Sequence, residues 1–210
     1  GEGYLKGLRE LTAAHNILLI LDETVTGFRV APGGCQELYG IQADIATFGK
    51  ALGAGFPVAA FVGRADVMEA LSWGGVLHYG TQNASRIGLV AARASLEELT
   101  RENNAGFSHL RRIGEQLCSG LREVFAQKGV PAIVQNVGPM FQIMFTEHEA
   151  IRDYREFCAH VDRAKFQRFA LGLFEKGVYI SPSAALHSVV SLAHTEEDVA
   201  FTLDAVRSSL

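Results

Sequence analysis

The sequence predicts an α/β protein, and three observations carry that expectation. Two short apolar runs, Ile17 to Leu21 and Ile45 to Phe48, stop close to charged groups, Asp22-Glu23 after the first and Gly49-Lys50 after the second. Runs of that length ending on a polar group read as buried strands that carry it to the C-terminal edge of a sheet. Between and after them lie longer stretches whose apolar residues recur at helical spacing. A lysine at the end of a buried strand is costly unless its charge is used or its pKa is lowered. Asp22 and Lys50 are therefore the first candidates for function.

Taken in order, YLKGLRELTAAH over residues 4–15 places Leu5, Leu8 and Leu11 near helical spacing and predicts a helix ending near Asn16. The Asp22 strand follows, then Gly27-Phe28-Arg29, a Pro-Gly-Gly turn at 32–34 and a short helical segment around Gln36 to Tyr39. After the Lys50 strand, Gly53 and Gly55 loosen the backbone enough for close approach of a cofactor or a partner chain. Pro57 to Val62 reads as a strand and Ala65 to Leu71 as a short helix. Ser72 to Gln82 reads as an irregular, Gly-rich loop carrying Trp73, His78, Tyr79 and Thr81.

Two helices are expected next, over 84–102 and 106–128, the second stopped by Gly129 with Pro131 beyond. Short strands follow at Ala132 to Val137 and Met140 to Phe145, then a helix from Ala159 to Glu175 closed by Gly177. Val178 to Ile180 and Val189 to Ala193 read as further strands. Thr195 caps a final helix, with Glu196, Glu197 and Asp198 where the helix dipole favours negative charge. A soft domain boundary falls near residue 115.

The composition narrows the class. With 210 residues, 48% of them hydrophobic, the chain can bury a sizeable core in one large or two small domains. A net charge of −4 gives no basic bias towards nucleic acid. No apolar run approaches a membrane span, and the N-terminus has no signal-peptide pattern. Cys35, Cys118 and Cys158 are odd in number and widely spaced, which suits reduced thiols in a cytoplasmic protein. The seven histidines show no metal-ligand spacing.

Singly, the candidate residues have ordinary readings. Asp22 can cap a turn or pair with Arg29, Lys50 can be a surface lysine, and Thr81 a turn or N-cap residue. Together, DETVTGFR, ADIATFGKALGAGFPVAAFVGR, the Gly80-Thr81 pair and SLAHTEED at 191–198 fall in one order and at compatible spacings. In that combination the chain resembles the class III pyridoxal-phosphate (PLP) aminotransferases, and within them the glutamate-1-semialdehyde aminomutases.

The resemblance implies the aspartate aminotransferase-like fold (fold type I of the PLP-dependent transferases). Residues 1–115 would be the C-terminal part of the PLP-binding large domain, and 116–210 the small C-terminal α/β domain. It implies pyridoxal 5'-phosphate held by Lys50 as a Schiff base, with Asp22 keeping the pyridine nitrogen protonated so that the ring can act as an electron sink. Lys50 would then carry the proton once a substrate amine displaces it. Val25 would lie against one face of the ring. Thr81, with the Gly80 backbone beside it, would contact the phosphate of the neighbouring protomer, which implies a homodimer with shared active sites. The substrates would be a small-molecule amino donor and a carbonyl acceptor.

The chain begins one helix before the Asp22 strand, and the resemblance implies that the family's phosphate-gripping loop and ring-stacking aromatic would lie upstream of it. It reads as the C-terminal part of such an enzyme, with exposed sheet edges, an open half-site and a need for a complementary chain. Two departures bear on substrate. QNASR follows Thr81 where the aminomutases carry a Ser-Gly-Asn-Pro turn, and Leu186 stands where they carry a glutamate tied to substrate chemistry. Leucine can neither accept a hydrogen bond nor carry charge, and PSAALHSVVSL also lacks the arginine with which many members clamp a carboxylate. His78, His187 and Tyr79 are open between substrate contact and ordinary surface or core roles. An aminotransferase, an aminomutase or racemase on the same scaffold, and a non-catalytic subunit all remain as readings.

Overall fold

The computed structural model describes residues 3–71 and 75–210 of the chain. Trp73 lies outside the described residues. The chain divides into two compact units, Gly1–Phe107 and Ser108–Leu210.

The first unit opens with α1 (Tyr4–Ala14), which leads into β1 (Ile20–Asp22). A loop and the short α2 (Gly34–Tyr39) return the chain to β2 (Ile45–Phe48). A 3-10 turn over Lys50–Gly53 and an extended segment precede β3 (Ala60–Gly63) and α3 (Ala65–Met68). The sheet order is β1-β2-β3. β1 and β2 run parallel with Asp22 level with Thr47, whereas β3 returns antiparallel to β2.

The expectation of a buried Asp22 strand needs correction. Ile17, Leu18 and Ile20 are exposed, and only Leu19 of the run is buried. The reason is position: β1 pairs with β2 alone among the described residues, so it is an edge strand. Lys50 is likewise exposed and incurs no burial cost.

What is buried beside this sheet is a charge. Asp44, 2% exposed, accepts the Leu19 N–H at 2.8 Å, Arg9 at 2.7 Å and Arg64 at 2.6 Å. A buried carboxylate is tolerable only when paired and hydrogen-bonded in this way. Its satisfied oxygens tie α1, β1 and the end of β3 to the start of β2.

One helical stretch, Arg86–Gln127, is broken at Arg101–Asn104, where Glu102, Asn103 and Asn104 take left-handed backbone in succession. It is two helices, α4 (86–100) and α5 (105–127), close to the expected bounds.

The second unit contains most of α5 and then β4 (Ala132–Val137), β5 (Met140–Phe145), α6 (Tyr154–His160), α7 (Arg163–Glu175), β6 (Ser188–Val189) and α8 (Glu196–Arg207). Its sheet is antiparallel in the order β4-β5-β6. The buried face of β5 meets α5 and α7 through an aromatic cluster, with Phe145 edge-on to Phe125 at 5.6 Å and to Phe169 at 5.3 Å. Such contacts add to the area that these rings bury.

Three expectations change here. The single helix from Ala159 to Glu175 is two helices, because Asp153 and Asp162 each accept backbone N–H bonds as N-caps and Val161 between them is extended. Val178 to Ile180 forms no strand, and Val189 to Ala193 reduces to the pairing of Ser188 and Val189 with β5. The Thr195 cap is present and is a full capping box with Asp198. Gly129 and Gly177 both take the left-handed turn that ends α5 and α7.

The Asp44 carboxyl is held below the ordinary carboxylate range by the Leu19 N–H first, then by Arg9, with Arg64 adding to it. A depressed carboxyl contributes stability above its unfolded value, and that contribution is lost as pH falls through the folded value. Chemical denaturation between neutral pH and about pH 3 should therefore show stability falling below about pH 4. Asp44→Asn should be less stable at neutral pH and less sensitive to acid.

Candidate active site

Because β1 and β2 are parallel, their C-terminal ends lie at one edge of the sheet, where α/β proteins commonly place ligands. Asp22 is the last residue of β1, and Lys50 opens the turn just after β2. The Asp22 Oδ1 accepts two hydrogen bonds, from the Thr24 N–H at 2.9 Å and the Thr47 hydroxyl at 2.9 Å. Thr24 through its hydroxyl and N–H, then Thr47, hold the Asp22 carboxyl below its ordinary value, and the Lys50 charge works the same way. Of the two Thr24 groups, the N–H is the one that makes a hydrogen bond to Asp22. Asp22 and Lys50 are thus an ionised acid and a primary amine within electrostatic reach. Arg29, half-buried, has its guanidinium pulled down by burial and does not pair with Asp22 among the described residues.

The turn after Asp22 is built by Glu23, which is 1% exposed. Its backbone N–H donates to the Thr47 carbonyl at 2.9 Å, and its own carbonyl accepts from Gly27 at 2.8 Å. Its carboxylate accepts from the N–H groups of Cys35 at 2.9 Å and Gln36 at 3.0 Å, and from the Thr26 hydroxyl. The loop leaving β1 and the start of α2 are therefore closed around one buried carboxylate. Gly34 makes room for it: its φ is +67°, and a Cβ there would stand 2.5 Å from the Glu23 Oε2.

The Lys50 turn is fixed from the other side. The Leu52 N–H donates to the Gly49 carbonyl at 3.0 Å, and Ser95 of α4 donates to the Ala51 carbonyl at 3.0 Å. Phe28 stacks at a tilt on Phe48, centroids 5.1 Å apart. Both Phe28 and Lys50 have positive φ, 58° and 45°, which side-chain-bearing residues seldom adopt. Such backbone persists where surrounding contacts over-determine it, and it collects at functional sites.

The family model for "Aminotransferase class-III" matches residues 1–210, the whole chain. The chain belongs to the class-III aminotransferases. It is 40% identical over 208 residues to a glutamate-1-semialdehyde 2,1-aminomutase of Akkermansia muciniphila, covering 99% of this chain and 48% of that one. It superposes with a TM-score of 0.86 on an omega-transaminase from Sphaerobacter thermophilus, at 32% identity over 99% of this chain and 47% of that one. A glutamate-1-semialdehyde-aminomutase from Pseudomonas aeruginosa PAO1, solved in complex with PMP, gives 0.86 at 26% identity, over 100% of this chain and 48% of that one. The fold is that of the fold type I transferases. The chain spans about half the length of the relatives it matches.

Within this class-III aminotransferase chain the other expected site residues are placed less closely. Val25 is half-buried in the loop between β1 and α2. Gly80 and Thr81 are exposed in the turn before α4, where the Asn83 N–H donates to the Gly80 carbonyl at 3.0 Å. Among the described residues none of the three bonds to Asp22 or Lys50. A cavity of about 710 Å³ lies beside that turn, lined by Phe61, Met68, His78, Asn83 and Leu89 among others. Neither Asp22 nor Lys50 lines it. His78 stands edge-on to Phe61 at 4.9 Å, and Tyr79 is exposed. In the second unit, His187 lines a shallow groove with Arg122, Met140 and Gln142, and Leu186 is exposed.

Two residues escaped sequence reasoning. Glu23 was legible only as one half of an acidic pair, although a carboxylate three residues before Thr26 is a usable turn signal. Thr47 looked like an ordinary strand residue, since its hydroxyl matters only once the register is known.

The left-handed backbone of Lys50 gives a direct test. Lys50→Ala and Lys50→Gly both remove the amine, but glycine accepts φ 45° without the Cβ penalty. Lys50→Gly should therefore be the more stable by about 1 kcal/mol in urea denaturation.

Proposed function

We propose that this chain carries the cofactor-anchoring edge of a PLP-dependent aminotransferase, acting on a small-molecule amino donor and a carbonyl acceptor. The observation that carries the reading is the ionised Asp22 and the Lys50 amine, set together where two parallel strands end. The donor set suits the cofactor: an amine to bond its aldehyde and a carboxylate to pair with a protonated ring nitrogen. A similar enzyme is solved with PMP, the amino form of the same cofactor. When bound, PLP supplies an electron sink for a carbanion next to nitrogen.

Each residue then has a bounded task. Lys50 would hold the cofactor through its ε-nitrogen and would supply the group that accepts and returns a proton at the substrate carbon. Asp22, kept ionised by Thr24 and Thr47, holds the proton on the ring nitrogen. Val25 packs against the ring, and Gly80 with Thr81 binds the phosphate. The first unit is the C-terminal part of the PLP-binding large domain, and the second is the small C-terminal domain. By the resemblance, Thr81 serves a neighbouring protomer, in a homodimer with shared sites. The three unpaired thiols favour a cytoplasmic location.

A second reading is an aminomutase, favoured by 40% identity to a glutamate-1-semialdehyde 2,1-aminomutase. Leu186, in place of a carboxylate, argues for a less charged substrate than that enzyme's name implies. Product analysis separates the two, because only transfer between molecules requires a second carbonyl substrate.

The deciding experiment is an absorbance titration of the chain with PLP, followed by borohydride reduction, beside Lys50→Ala. A reducible adduct confined to the lysine-containing chain is expected; an adduct of equal yield in Lys50→Ala rejects the assignment. Shared sites have their own test, in which Lys50→Ala and Thr81→Ala chains are mixed, each supplied with any upstream portion that the unsubstituted chain needs for activity. Partial recovery of activity is the expected result, and none at all rejects sharing.

A further inference from the structure

We propose that Thr47 is a positioning residue for the candidate site: its hydroxyl, donated across the parallel register to Asp22 Oδ1, fixes the orientation of the carboxylate. The proposal rests on the cofactor reading above and extends it to a residue that touches neither cofactor nor substrate.

Asp22 is exposed at a strand end, where an aspartate ordinarily samples several rotamers. Here two donors converge on one oxygen from different directions. The Thr24 N–H reaches it at 2.9 Å from the loop that follows, and the Thr47 hydroxyl at 2.9 Å from the neighbouring strand. The first is a backbone donor, which any residue at that position would supply. The second depends on the side chain.

Register makes the contact possible. Asp22 and Thr47 are directly paired, and the Glu23 N–H donates to the Thr47 carbonyl at 2.9 Å, so the two residues cannot slide apart. A hydroxyl that donates to a carboxylate also favours its ionised form. The charged groups around Asp22 are Lys50, from the turn after β2, and Glu23, whose carboxylate is turned to the amides of Cys35 and Gln36. Lys50 attracts the ionised acid but, as a flexible point charge, does not orient it. Thr47 supplies the direction.

The test compares Thr47→Val, which keeps the β-branched shape, with Thr47→Ser, which keeps the hydroxyl. The carboxyl carbon of Asp22, assigned with Asp22→Asn, is titrated by ¹³C NMR in the 210-residue chain without added cofactor. The expected result is an upward shift of the Asp22 midpoint in Thr47→Val, and a return to the wild-type value in Thr47→Ser. In parallel, the PLP dissociation constant from absorbance should rise about tenfold in Thr47→Val and recover in Thr47→Ser. An unchanged Asp22 midpoint in a folded Thr47→Val chain overturns the proposal, as does failure of Thr47→Ser to restore it. If the midpoint shifts as expected but wild-type chain forms no Lys50-dependent adduct with PLP, the contact stands and this chain by itself does not hold the cofactor.

Discussion

The parallel register between β1 and β2 sets Asp22 level with Thr47, and from that level both strands leave the sheet with a charged residue at or just beyond their ends. A slip of one residue would turn Asp22 to the opposite face and part it from both the hydroxyl and the lysine. Two hydrogen bonds oppose such a slip. The Glu23 N–H reaches the Thr47 carbonyl just past the last ladder pair, and the Asp44 carboxylate holds the Leu19 N–H where the ladder begins. The short parallel ladder is pinned at both ends by groups adjacent to it in sequence.

The two units are held by different physics. In the first, the buried apolar residues are few and often small, such as Ala31, Ala43 and Ala46, and buried carboxylates do much of the tying. In the second, a continuous cluster of phenylalanines, leucines and valines lies between α5, α7 and β5. Directional bonds fix angles and registers, whereas apolar burial fixes compactness more than orientation. The unit that carries Asp22 and Lys50 uses the directional kind.

Much of this was legible in the chain because local signals agreed with one another. β4 and β5 were bounded by Pro131 and by Gly138-Pro139, so their limits could be read to the residue. Thr195 with Asp198 announced α8 in the same way. The break at Val161 and Asp162 is hidden because the caps that divide the stretch act through side-chain bonds that periodicity does not register. Exposure was misread at Ile17, Leu18 and Ile20 because an apolar run states what a strand prefers, not what neighbours it has. At the site, residue types marked Asp22 and Lys50, while Thr47 and the Glu23 clamp became visible only through pairing.

Glu23 and Gly34 fit so closely that neither can change independently. Any side chain at position 34 would meet both an unfavourable φ and the carboxylate itself. Shortening Glu23 would clear the space but leave the amides of Cys35 and Gln36 without their acceptor. Either change alone therefore disturbs the loop, one by a clash and the other by stranded amides. The loop thus couples two positions eleven residues apart in sequence, one supplying the carboxylate and the other the space it occupies.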